Sequence, residues 1–162
     1  MAKGAGGIRT WNSINQPKYL IWRVLNDVRE RGFSYLAPFS IGDVEKRMAN
    51  FAREHGIELG STKVYMSSSS IAHAMRDSKV AKGLQVSDKA MMNFPRKRKT
   101  MDLYYNTRTK NFTYTDGKNK FVIHPNYTIK TASGRKKLVN FITASKMASS
   151  QEFAMKEYIK VK

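Results

Sequence analysis

The stretch that decides the fold is MDLYYNTRTKNFTYTDGKNKFVIH, residues 101–124. Three short runs rich in Tyr, Phe, Thr, Val and Ile, namely Met101–Tyr105, Asn111–Tyr114 and Lys120–His124, are separated by turn chemistry at Asn106–Lys110 and at Asp116-Gly117. Such residues suit a pleated, half-buried surface, and an Asp-Gly step supplies the positive φ that a tight hairpin needs. The stretch predicts a small antiparallel meander, closed by Pro125 and Asn126.

Upstream the hydrophobic period changes to three and four. Leu20, Ile21, Val24, Leu25 and Val28 follow Pro17, which suits a first helical turn, and Gly32 ends the helix. A short extended piece, Phe33–Phe39, precedes Ser40, an N-cap for a second helix over Ile41–His55. Ile41, Val44, Met48 and Phe51 form its apolar face, and Glu45, Lys46, Asn50, Arg53 and Glu54 its solvated one. After a ten-residue turn, the serine run Ser67–Ser70 caps a third helix reaching about Lys82. Residues 1–16, with three glycines among the first seven, read as an arm. Residues 125–162 read as a helical extension, with helical stretches around Leu138, Phe141 and Ile142 and around Phe153 and Tyr158.

A chain of 162 residues fits one domain with an appendage. It carries 30 Lys and Arg against 12 Asp and Glu, a net charge of +18, so a polyanion is the expected partner. Hydrophobic residues at 41% exclude a wholly disordered basic tail. The absence of cysteine excludes disulfides, thiolate zinc sites, iron–sulfur clusters and cysteine nucleophiles. His55, His73 and His124 lack companions at metal-binding spacing, so neither metal nor cofactor is expected. No apolar run reaches membrane-spanning length, and residues 1–16 lack a signal-peptide core. The expectation is an intracellular protein of the cytoplasm or nucleoid, or of the nucleus in a eukaryote, with no membrane partner.

The order helix, extended link, helix, turn, small-residue helix and hairpin is carried by SIGDVEKRM (40–48), SSSSIAHAMRD (67–77) and YYNTRTKNFTYTDGKNKFVIH (104–124). Over residues 17–124 it resembles a winged helix-turn-helix domain, with a long second turn and about eighteen residues between third helix and first strand as departures. The resemblance implies an α+β fold: a three-helix core, a small meander and C-terminal helices. It also implies a recognition helix. Ser68, Ser69 and Ser70 would let its backbone approach phosphates, while His73, Arg76 and Lys79 would reach base edges or phosphates. A serine-capped surface helix is the plain alternative.

Charge concentrates further along. Between Lys89 and Lys137 thirteen Lys and Arg face only Asp102 and Asp116. The densest cluster, Arg96, Lys97, Arg98 and Lys99, fits a phosphate clamp, an import signal or a solvated run. Arg108, Lys110, Lys118 and Lys120 interleave with Tyr104, Tyr105, Phe112, Tyr114 and Phe121. Those aromatics serve either as core or as stacking platforms for unpaired bases. Arg135, Lys136 and Lys137 precede a predicted helix, where a bound phosphate would offset the unfavourable dipole. No nucleophile elbow, P-loop or dinucleotide fingerprint occurs, and Asp102, Asp116 and His124 alone suggest a metal-dependent nuclease. The sequence therefore reads as a non-enzymatic nucleic-acid-binding protein acting on duplex DNA in transcription control or genome handling. An RNA-binding or ribonucleoprotein component, and a basic inhibitor or interaction module for an acidic protein, stand as alternatives. Oligomeric state is left open.

Overall fold

The computed structural model describes residues 16–75, 86–130, 136–146 and 151–162. In chain order the elements are α1 (Gln16–Arg31), β1 (Phe39–Asp43), α2 (Lys46–Glu54), β2 (Lys63–Met66), α3 (Ser68–Met75) and α4 (Asp88–Lys97). A 3-10 turn at Arg98–Thr100 leads to β3 (Asp102–Asn106), β4 (Asn111–Thr115), β5 (Asn119–Lys130), β6 (Lys136–Lys146) and β7 (Tyr158–Val161). The fold class is α+β, as expected.

All seven strands join one sheet in the order β1-β2-β6-β5-β4-β3-β7, antiparallel at every step except β2 with β6. Cross-strand register puts Leu103 opposite Tyr114, Tyr105 opposite Phe112, and Phe112 opposite Ile123, so these apolar side chains share one face. The helices cover that face. Phe51 of α2 packs on Tyr105 and Phe112, with ring centroids 5.5 and 6.0 Å away. Phe94 of α4 stacks on Phe121 at 4.1 Å and meets Tyr114 edge-on at 5.5 Å. α1 packs against α3 and α4 through Ile21, Val24 and Leu25.

Several expectations are corrected. The second helix starts at Lys46, because Ser40–Asp43 form strand instead. Gly42 has φ +136, incompatible with a helix, and the Ser40 hydroxyl accepts from its N–H at 3.1 Å in a bulge opposite β2. An unforeseen helix, α4, is capped by Ser87, whose hydroxyl accepts from the Ala90 N–H at 3.1 Å. Among the described residues of the extension there is no α-helix. Residues 136–146 and 158–161 are strands, and only Glu152–Ala154 forms a 3-10 turn. Leu138, Phe141 and Ile142 fit helical spacing, but the run also alternates, and pairing with the long β5 settles it as strand. The winged arrangement is replaced too. β5 runs through residue 124, where the extension was expected to begin, and the meander sits inside a wide sheet rather than at the edge of a three-helix core.

One buried cation ties these pieces together. Arg98 is 3% exposed, and its guanidinium donates to the carbonyls of Asp43 at 2.6 Å and Pro95 at 3.2 Å. Arg47 in turn donates to the carbonyls of Arg98 at 3.1 Å and Met101 at 2.8 Å, and lies over the Tyr114 ring. Tyr114 donates to Glu45, and burial together with that bond raises its phenol above the ordinary range. A Cβ on Gly42 would lie 2.7 Å from the Arg98 Nη2. Gly42→Ala should therefore cost about 2–4 kcal/mol, as should Arg98→Met, which leaves buried carbonyls unpaired. Urea unfolding checks both; a loss under about 0.5 kcal/mol for either would mean the cation is dispensable.

Candidate nucleic-acid interface

The buried Arg98 decides what its neighbours do. With its guanidinium held inside, Arg96, Lys97 and Lys99 are exposed. None of the three makes an ion pair among the described residues. The expectation that all four clamp phosphate is corrected: three are available and the fourth anchors them. β3 begins at this end of the sheet, paired with the last residue of β4, so the β4–β5 turn and its exposed Lys118 lie at the same end. Register brings the Lys146 backbone opposite Asn119 there as well.

The carboxylates of this end are engaged. Asp102 pairs with Lys160 at 3.5 Å. Asp116 accepts from the N–H groups of Lys118 at 2.9 Å and Asn119 at 2.6 Å, and from the Asn119 amide at 3.2 Å. The result is a basic end with its acids already paired or turned into their own loop.

Other predicted site residues lie elsewhere. Arg108 and Lys110 occupy the β3–β4 turn at the opposite end, and Arg108 is 3.5 Å from Glu157. Lys120 is half-buried on the sheet's outer face, 2.7 Å from Glu152. Lys136 and Lys137 open β6 rather than preceding a helix; register sets Lys136 opposite Lys130 and Lys137 opposite Ile129. Arg76, Lys79, Arg135 and residues 1–15 lie outside the described residues.

α3 starts at Ser68 behind a serine cap, as expected, and its serines are engaged locally. The Ser67 hydroxyl accepts from the Ser70 N–H at 3.1 Å, and the Ser70 hydroxyl donates to the Ser67 carbonyl at 2.9 Å, a reciprocal cap that engages both. Ser69 bonds to Ser67 at 2.9 Å, and Ser70 is buried. Ser68 is half-buried and His73 exposed. The meander aromatics Tyr105, Phe112, Tyr114 and Phe121 are core residues, unavailable for stacking on bases. Tyr104 faces the other side but is covered by Phe153, stacked at 4.6 Å.

Asp102, Asp116 and His124 are not brought together. Asp102 and Asp116 lie at one end of the sheet, whereas His124 is four residues along β5 from Lys120, and burial lowers its pKa. Among the described residues no three His, Asp or Glu side chains form a metal-binding group, and no helix is long and apolar enough to cross a membrane. The chain matches no protein-family model, no curated protein and no solved structure.

The Asp116 loop sets a pH dependence. Burial raises its carboxyl pKa, but hydrogen bonds from Asn119 and Lys118 outweigh this and leave it below the ordinary value of 3.8. A folded-state pKa below the unfolded one stabilises above that range and is lost as pH falls through the folded value. Asp116→Asn should be less stable than the parent at neutral pH, with the gap closing between about pH 5 and pH 2. Urea midpoints at several pH values test this; a gap that widens on acidification would reverse the assignment.

Proposed function

We propose that the chain binds nucleic acid by its phosphate backbone, without catalysis, through the basic end built from Arg96, Lys97, Lys99 and Lys118. The observation that carries this reading is that the end of α4 and the 3-10 turn after it present three exposed cations, without ion pairs among the described residues, around a fourth basic residue that is buried. The backbone that carries them is held in place, so binding orders the side chains alone, and each phosphate contact releases condensed counterions. Of the nearby acids, Asp102 pairs with Lys160, and Asp116 is held within its own loop by N–H donors.

Duplex DNA is the favoured target, in transcription control or genome handling. Burial of the meander aromatics takes Tyr105, Phe112, Tyr114 and Phe121 out of the base-stacking role that a single-strand reader would give them. Among the described residues, 127–130 and 136–139 pair only with each other, a two-stranded ribbon bearing Lys130, Lys136 and Lys137 in sequence. It extends from the end of the sheet opposite Arg96, Lys97, Lys99 and Lys118, so it stands apart from this interface.

Gel shifts with duplex DNA, single-stranded DNA and structured RNA at a series of salt concentrations test the proposal. Affinity should fall steeply with salt and be highest for duplex. Replacing Arg96, Lys97 and Lys99 with Ala should weaken all sequences alike and reduce the salt slope by about 2–3, while the melting temperature holds. Flat salt dependence would overturn the reading in favour of a protein partner, and tightest binding to structured RNA would overturn the choice of duplex.

A further inference from the structure

The sheet's outer face carries a groove of about 600 Å³, a size suited to a small organic ligand. Val122 and Met155 give it apolar walls, Asn111 and Thr113 line it from β4, and Arg108 stands at its turn end. The charges around it are matched. Glu152 accepts from Lys120 at 2.7 Å and from the Tyr158 hydroxyl at 3.0 Å. Glu157 accepts from the Asn106 amide at 3.2 Å and lies 3.5 Å from Arg108.

Two polar groups are unmatched. The Thr113 hydroxyl and the Asn111 amide make no hydrogen bond among the described residues and line the groove, where a ligand supplies partners. The turn beside it is firmly built. The Asn106 side-chain oxygen accepts from the Arg108 N–H at 2.9 Å and the Thr109 N–H at 3.0 Å, so Arg108 and Lys110 project from an ordered scaffold.

We propose that this groove is a nucleotide site. Its neutral, partly apolar interior fits a planar heterocycle. A carboxamide beside a hydroxyl offers donor and acceptor to the edge of a base, and a thioether adapts to a ring face. Arg108 at the mouth fits the attached phosphate, exchanging its long contact to Glu157 for a charge-assisted bond. A nucleotide is the ligand that joins these two chemistries. It arrives either as a free mononucleotide or as an unpaired residue of a strand. The site is separate from the Arg96–Lys99 end, so it does not rest on the function proposed above.

Amide NMR titration of the full chain with the four nucleoside monophosphates, with nucleosides and with ribose 5-phosphate tests the site. A second arm uses a single-stranded oligonucleotide and its copy with one abasic residue. Shifts should centre on Arg108, Asn111, Thr113 and Val122. Asn111→Ala and Thr113→Val should each weaken binding about five- to tenfold, with the Thr113→Val melting temperature unchanged or raised. Arg108→Gln should weaken monophosphates and spare nucleosides. Shifts from monophosphates identify a free nucleotide; shifts only from the oligonucleotide, abolished by the abasic residue, identify a strand. Ribose 5-phosphate binding as tightly as the nucleotides would overturn the base slot. No shift in the groove from any probe would overturn the site, and the salt-dependent binding of the basic end would be unaffected by that failure.

Discussion

A buried guanidinium carries a desolvation cost that only well-placed acceptors offset. Arg98 meets it in part, with main-chain carbonyls from β1 and α4 on Nη2 and Nε while its buried Nη1 has no partner among the described residues, and Arg47 binds the carbonyls of Arg98 and Met101 on either side of the 3-10 turn. The start of α2, the bulge in β1, the end of α4 and the entry to β3 are held in one geometry by these two side chains. Gly42 is glycine because its φ of +136 and the closeness of Arg98 leave no room for a Cβ. The carboxylate of Glu45 pairs with Arg47 and also accepts from the Tyr114 hydroxyl. The basic surface exists in its present form because this interior cation fixes the residues on either side of it.

The two faces of the sheet divide the work of the molecule. The inner face is aromatic and closed by α2 and α4, which accounts for much of the 11% of aromatic residues. The outer face is polar, partly covered by Phe153 on Tyr104, and its ion pairs Lys120–Glu152 and Arg108–Glu157 fasten the segment after β6 to the meander. That segment forms one wall of the groove, so the groove is a consequence of how the chain returns to place β7 at the edge beside β3.

What could be read from the sequence followed local chemistry. The meander and its Asp-Gly turn were legible because alternation and turn residues agree, and α1 because Pro17 and its apolar spacing agree. β6 was misread because Leu138, Phe141 and Ile142 satisfy two periods at once, and only the distant pairing with β5 chooses between them. α4 was hidden by Pro95 and by the basic run, which resembles a loop, although Ser87-Asp88 at its start was a usable cap signal. The role of Arg98 had no sequence signature at all: nothing distinguishes it from Arg96, Lys97 and Lys99 until β1 folds against the turn. Gly42 within a hydrophobic run was the nearest clue, since a glycine inside a strand marks a bulge or a close approach.

Whether the turn anchored by Arg98 presents cations to a phosphate backbone is decided by amide chemical-shift mapping of the full chain with a short DNA duplex. The largest changes should fall at residues 96–100, at 116–119 and around Lys146, which share one end of the sheet. Changes concentrated at Ser68–Met75, with residues 96–100 unmoved, would contradict it.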